Sequence, residues 1–117
     1  MITYGVTVEP EDIPVRGEFD DKEIEDQIIK DMEHNPWAWA FVTVTARLTL
    51  ELPGKLTFVS LGHAHLGCCS YPNEEAFKQE GGYYKQLCEE ALADLKMGLE
   101  QAVRTGELAK LVLEVLK

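Results

Sequence analysis

The chain has 117 residues and a mass of 13.2 kDa, a length that predicts one domain spanning residues 1–117. Its formal net charge of −10 argues against binding to a nucleic-acid backbone or to anionic lipid, because both require a basic surface. Three cysteines are too few for a secreted disulfide scaffold, no apolar run is long enough to span a membrane, and no signal peptide opens the chain. These features predict a cytoplasmic protein.

The first half of the chain predicts a strand, a helix and a long strand. Residues 2–8 alternate between apolar and polar side chains, as in a half-buried strand. Asp20 is the expected N-cap of a helix that begins near Asp21 and ends at Asn35-Pro36. The expected buried stripe of that helix is Ile24, Ile28, Ile29 and Met32. Residues 37–52 then alternate again, with a small apolar face that includes Ala38, Ala40 and Ala46.

The second half predicts one more extended region and then helices. A turn at Pro53-Gly54 leads into a strand over residues 55–61, which Gly62 and Gly67 interrupt as a bulge or a short hairpin. Asn73 is expected to cap a short helix. A long helix is expected from Tyr83 to about Val103, with an apolar stripe of Tyr84, Leu87, Cys88, Ala91, Leu92, Leu95, Leu99, Ala102 and Val103. Gly106 is the expected C-cap. A last helix over residues 107–116 is expected to present Leu108, Leu111, Val112, Val115 and Leu116.

The predicted order is therefore strand, helix, strand, strand, helix, helix. This order is typical of an α+β fold, with a small antiparallel sheet of three or four strands and helices packed on one face.

Three short motifs carry a resemblance to a known group of proteins. They are Trp37-Ala38-Trp39, the segment Leu66–Tyr71 with the sequence LGCCSY, and Gly81-Gly82-Tyr83-Tyr84. Together with the loop over residues 10–17, they resemble small acidic proteins encoded in phages and prophages, over residues 8–95. The chain departs from that pattern at His63 and His65, where acidic or small residues are expected. The group has no established activity, so the resemblance implies a phage context and a host-cell location, without a mechanism, metal or cofactor.

The acidic residues suggest what such a protein binds. Residues 1–35 contain 11 acids and 3 bases, so most of the net charge lies in the first third of the chain. An acidic surface competes for the basic channels of restriction enzymes and CRISPR effectors by the electrostatics that attracts phosphate. We therefore expect a non-enzymatic inhibitor that binds a host defence protein. The expected partner-binding residues are Glu18, Asp20, Asp21, Glu23, Asp26, Glu33, Trp39 and Tyr71.

Other patterns leave different functions open. The acids could instead form a solvated face that maintains solubility. His63, His65, Cys68 and Cys69 are the one metal-like group, although adjacent cysteines on a strand point to opposite faces; exposed histidines and buried thiols are the more common arrangement. Cys69 with His65 could form a nucleophilic pair. Trp37, Trp39 and Phe41 are either a second small core, covered by the 10–19 loop or by the end of the chain, or a protein-binding patch. A small-molecule or metal-binding module and a structural homodimer remain the alternative functions.

Overall fold

The computed structural model describes residues 1–116, apart from the side chains of Leu108 and Leu111. Its elements follow the predicted order: β1 (Ile2–Pro10), α1 (Lys22–Asp31), β2 (Ala40–Leu52), β3 (Leu56–Cys69), α2 (Glu74–Gln79) and α3 (Tyr83–Val115). The strands form one antiparallel sheet in the order β1-β2-β3. The predicted α+β class and element order are confirmed.

The main core lies between one face of the sheet and α3. The small apolar face of β2 is fully buried from Ala40 to Ala46, and Val6 and Val8 of β1 extend it, because they pair with Val44 and Val42. From the other side, α2 and α3 contribute Phe77, Leu87, Ala91 and Leu95. The alternation of β2 and the helical spacing of Leu87, Ala91 and Leu95 therefore place the predicted residues in the core. At the ends of the predicted faces, Ile2 and Val103 are exposed.

Gly62 allows α3 to approach the sheet closely. A Cβ atom at this position would collide with the Ala91 carbonyl oxygen and would lie 2.7 Å from the Leu95 Cβ. Gly62 is therefore a contact point within β3 and does not interrupt the strand, contrary to the prediction. Next to this contact, the Asp94 carboxylate of α3 accepts a hydrogen bond of 2.8 Å from the His63 backbone N–H at the outer edge of β3.

The expected bulge occurs at Gly67 and Cys68. Ala40 pairs with Cys69 whereas Val42 pairs with Leu66, so two residues of β3 lie opposite Phe41 alone. Cys68 adopts a left-handed backbone with φ of 55°, which is uncommon for a residue other than glycine. The bulge turns the Cys68 N–H away from β2 and towards the segment that follows β1.

The predicted break at Gly106 is wrong. The helical segments predicted over residues 83–103 and 107–116 are one continuous helix, α3, which runs through Gly106 to Val115. A glycine inside a helix costs only about 1 kcal/mol relative to alanine, so it ends a helix only when the chain also turns there. Of the predicted apolar face after Gly106, Val112, Val115 and Leu116 are exposed. The side chains of Leu108 and Leu111 lie outside the described residues.

The predictions for α1 need two corrections. The helix begins at Lys22 with Asp21, not Asp20, as its N-cap, because the Asp21 carboxylate accepts a hydrogen bond of 2.8 Å from the Glu23 N–H. Only Ile28 of the predicted stripe is buried; Ile24, Ile29 and Met32 are exposed. The second buried residue of α1 is an acid, Glu25. The helix is consequently held by one apolar side chain and one carboxylate.

Candidate functional site: an acidic lobe beside an apolar groove

Residues 11–35 form a distinct structural unit, which we call the acidic lobe. It comprises the loop after β1, helix α1 and the turn that leads to Trp37, and it contains 10 acids and 3 bases. Its apolar contacts form a small cluster separate from the main core, in which Val15 and Ile28 pack with Trp39, and the partly buried Cys68 packs against it. The lobe therefore has its own anchor at the end of the sheet where β2 begins and β3 ends.

Glu25 ties the loop of the acidic lobe to its helix. Glu25 is 6% exposed, and its carboxylate accepts hydrogen bonds from the Gly17 N–H at 2.8 Å and from the Phe19 N–H at 3.3 Å. The Arg16 guanidinium lies 3.6 Å away and also pairs with Asp26. A buried carboxylate is tolerated when hydrogen bonds and a cation replace water. Glu25 has two such hydrogen bonds and the Arg16 cation. Glu25 is thus a structural residue rather than part of an exposed acidic surface.

Glu11 ties the start of the acidic lobe to the bulge in β3. Its carboxylate accepts hydrogen bonds from the Cys68 N–H at 2.7 Å and from the Ile13 N–H at 3.2 Å. These backbone hydrogen bonds, that from Cys68 first, lower the pKa of Glu11, because they favour the charged carboxylate. Gly67 leaves room for the hydrogen bond from Cys68, since a Cβ at Gly67 would lie 2.8 Å from Oε2 of Glu11, the oxygen that accepts it.

Both tryptophans are buried, in different clusters. Trp37 belongs to the main core, where it packs against Phe77 at 5.4 Å between ring centroids. Trp39 is 3% exposed; its indole N–H donates a 2.6 Å hydrogen bond to the Ile13 carbonyl, and its ring packs edge-on against Phe19. The second small core beneath the 10–19 loop is therefore confirmed for Trp39. The expectation that Trp39 is a surface anchor for a partner is wrong, because the loop covers its ring.

An apolar groove of about 750 Å³ runs between the acidic lobe and the segment that follows β3. One wall is formed by residues of α1, of which Ile24 is exposed and Ile28 is buried, and the other is formed by Tyr71 and Pro72. Tyr71 is held there by its N–H bond to the Trp37 carbonyl and by packing against Phe77, and it remains partly exposed. Burial raises the pKa of Tyr71. The volume lies in the range of sites that hold ligands or peptide side chains. The lining residues are Phe19, Ile24, Gln27, Ile28, Asp31, His34, Asn35, Ala38, Ser70, Tyr71 and Pro72.

All six predicted acids are exposed and all belong to the acidic lobe: Glu18, Asp20, Asp21, Glu23, Asp26 and Glu33. Two of them have internal roles, since Asp21 caps α1 and Asp26 pairs with Arg16. Within the described residues, the side chains of the other four form neither an ion pair nor a hydrogen bond: Glu18, Asp20, Glu23 and Glu33. These four carboxylates are available to an external partner.

The opposite face of the sheet carries the two histidines. His63 and His65 stack with ring centroids 6.4 Å apart, and His65 also stacks on Phe41. Their Nδ1 atoms share hydrogen bonds with the hydroxyls of Thr45 and Thr43. Among the described residues, no group of three or more His, Cys, Asp or Glu side chains is arranged to hold a metal ion.

The structure separates Cys69 from His65. Cys69 pairs with Ala40 and its thiol is buried in the main core, whereas His65 pairs with Thr43 and is exposed on the other face. Burial raises the pKa of the Cys69 thiol to about 11, which leaves it protonated at neutral pH, and its Sγ lies 3.5 Å from the Leu66 carbonyl oxygen. The candidate nucleophilic pair is therefore wrong.

Comparisons with protein-family models, with curated proteins and with solved structures gave no match for this chain. Within residues 1–116, no helix combines the length and the apolar character needed to cross a membrane.

The sequence did not predict the residues that shape the site. One wall of the groove depends on Ile24 of α1, an exposed residue that the helical stripe assigned to the core. In the sequence, nothing distinguishes Glu11 and Glu25 from the other acids of residues 1–35. Their structural roles come from hydrogen bonds that their carboxylates accept from backbone N–H groups. These hydrogen bonds depend on the position of the 11–21 loop, which a periodic sequence pattern does not predict.

Proposed function

We propose that this protein is a phage-borne accessory protein that binds and inhibits a host nucleic-acid-handling defence protein of the restriction or CRISPR type. The observation that supports the proposal is the combination of exposed acids and an apolar groove on one lobe. Glu18, Asp20, Glu23 and Glu33 supply negative charge that the described residues leave unpaired, and Tyr71 lines the adjacent groove.

The two features suit different parts of one partner surface. Carboxylates attract the lysines and arginines with which a nuclease binds phosphate, which speeds association. A groove with an aromatic wall accepts an apolar side chain that lies among those basic residues, and such buried anchors supply most of the affinity of an interface. A basic segment that also carries an apolar side chain therefore fits the acidic lobe better than a purely basic one.

The experiment compares two triple charge reversals with equal changes in net charge. The first, Asp20→Lys, Glu23→Lys and Glu33→Lys, alters the acidic lobe without touching the cap Asp21 or the Arg16 partner Asp26. The control, Glu80→Lys, Glu89→Lys and Glu100→Lys, alters exposed acids that lie outside the lobe. Each tagged protein is used to capture partners from host lysate at low and moderate salt, and each is expressed in bacteria in which a restriction or CRISPR system reduces phage plating.

We expect the wild type and the control to retain a nuclease or defence subunit at low salt and to restore phage plating. The acidic-lobe variant should lose both effects, and moderate salt should weaken the capture. Restored plating by the acidic-lobe variant, with an intact fold, would contradict the proposal. Absence of both capture and restored plating for the wild type would also contradict it.

A further inference from the structure

Helix α3 extends well beyond the sheet that it covers. Its 33 residues span about 50 Å at 1.5 Å per residue, and among the described side chains the last one packed against the main core is Leu99. The large apolar side chains that the structure describes beyond that point are exposed, with Leu113 at 62% and Leu116 at 75%. The C-terminal half of α3 thus has an apolar surface that a helix in water rarely maintains unpaired.

The hairpin between β2 and β3 shows the same feature. Strand β1 pairs with β2 as far as Ile2 opposite Leu48, and Met1 exchanges backbone hydrogen bonds with Thr49. The two longer strands continue from there as a two-stranded ribbon over residues 50–58. The face of the ribbon that continues the main core carries four exposed apolar residues: Leu50, Leu52, Leu56 and Phe58. A two-stranded ribbon is marginally stable alone, because one of its faces lacks a covering layer.

The solvent-accessible surface area of the chain is larger than that of a compact monomer of the same mass. The chain exposes 8594 Å², whereas a globular monomer of 13.2 kDa exposes about 6,400 Å², an excess of about 2,200 Å². The radius of gyration is 20.1 Å, against about 13 Å for a compact domain of this length. The excess is of the size that each subunit contributes to a large permanent dimer interface.

The charge distribution indicates what covers this surface. Residues 99–117 contain three acids and three bases, and the charged residues of 50–58 are only Glu51 and Lys55, so both regions are neutral. The whole net charge of −10 therefore lies elsewhere in the chain. Two copies can meet through these regions without the repulsion that their acidic parts would impose, and a strongly charged partner would find no complement there.

We propose that a second copy of this chain covers the C-terminal half of α3 and the apolar face of the ribbon, giving a homodimer. The dimer leaves the acidic lobes free, because each lobe packs near the first turn of α3, where Phe19 and Tyr83 line a common cavity. The surface therefore serves assembly, and the argument for it is independent of the proposed function.

The test measures molar mass by light scattering and sedimentation over a wide range of protein concentration. The variants are Leu113→Glu on α3 and Leu56→Glu on the ribbon, and both side chains are more than half exposed, so the isolated monomer should retain its fold. The control is Lys85→Gln, an exposed position near the start of α3 and outside the proposed dimer surface, with the same change in net charge. Circular dichroism of each variant checks that the helices are intact.

We expect the wild type and Lys85→Gln to have twice the chain mass of 13.2 kDa, and the two glutamate variants to dissociate to monomers. A monomeric wild type at every concentration would overturn the proposal and assign the surface to a different partner. A dimer that persists in both glutamate variants, or an assembly larger than two copies, would also overturn it.

Discussion

Gly62 of β3 lies directly beneath Ala91 of α3, at a distance that leaves no room for a side chain on Gly62. The atoms that a Cβ at Gly62 would meet are the Ala91 carbonyl oxygen and the backbone N and Cβ of Leu95. Because none of these lies at the end of a flexible side chain, the helix and the strand must separate if Gly62→Ala is made. We expect this substitution to lower the free energy of unfolding by about 2 to 3 kcal/mol, as overpacked cores do. Urea denaturation followed by circular dichroism measures the change.

Gly98→Ala is the matched control for Gly62→Ala. Nothing lies within 4 Å of a Cβ at Gly98, and the residue is inside α3. Alanine there should stabilise the helix by about 1 kcal/mol, because glycine is the weaker helix former. If both substitutions lowered the free energy of unfolding equally, the close approach at Gly62 would not be the cause.

Asp21 and Asp20 differ in what they contribute to α1. Asp21→Ala removes the acceptor for the Glu23 N–H and should destabilise the helix by about 1 kcal/mol, whereas Asp20→Ala should change its stability by less than about 0.5 kcal/mol. Hydrogen exchange of the α1 amides provides the measurement, with faster exchange expected for the Asp21 variant. Equal exchange in the two variants would contradict the assignment of the cap.

Glu25→Ala is expected to loosen the whole acidic lobe. The substitution leaves the Gly17 and Phe19 N–H groups without their acceptor, and it removes one of the two carboxylates that pair with Arg16. We expect a loss of about 2 to 3 kcal/mol, because partly buried donors lose their partner. Glu23→Ala, an exposed position on the same helix, is the control and should have little effect. Protection of the loop and α1 amides against exchange distinguishes the two.

Glu11 should make the stability of the fold depend on pH. Its carboxylate has a pKa below the ordinary value of 4.5 because it accepts backbone hydrogen bonds, so it stabilises the folded state while it is charged. Its contribution is complete above pH 4.5 and is lost as the pH falls through the lowered pKa. Glu11→Gln should therefore be less stable than the wild type at neutral pH, and the difference should shrink in acid. Urea midpoints measured across this range test the prediction.

Asp12→Asn is the control for the Glu11 experiment. Asp12 is the adjacent exposed carboxylate, and within the described part of the chain its side chain forms no hydrogen bond or ion pair. The difference between this variant and the wild type should not follow the pH dependence of Glu11→Gln. An unchanged stability difference for Glu11→Gln from neutral pH into acid would contradict the role given to the Cys68 and Ile13 N–H groups.

The periodic parts of the fold were predictable from sequence. Alternation from Ala40 to Ala46 identified the buried face of β2, and the spacing of Leu87, Ala91 and Leu95 identified the face of α3 that covers it. These patterns succeed because each element must bury one face. The error at Gly106 has a related cause, since no local signal distinguishes a glycine that ends a helix from one that a helix merely tolerates.

The candidate site was predictable only in its charge. The six acids were placed correctly on the surface, but burial of Glu25 and Trp39 and exposure of Ile24 depend on where the 11–21 loop packs. That packing is set by long-range contacts, such as those of Glu11 with Cys68 and of Trp39 with Ile13. A single sequence contains no periodic signal for contacts between loops.

The hydrogen bond from His63 to Asp94 has a consequence for behaviour at high concentration. β3 is an edge strand, and an unpaired N–H on such an edge is a point where a strand from another molecule can add. The Asp94 carboxylate already accepts the hydrogen bond of the His63 N–H and places a negative charge beside it. A strand that added here would find no free donor at His63, and its carbonyl oxygens would be repelled by the Asp94 carboxylate. Helix α3 thereby protects the middle of this edge against aggregation by strand addition.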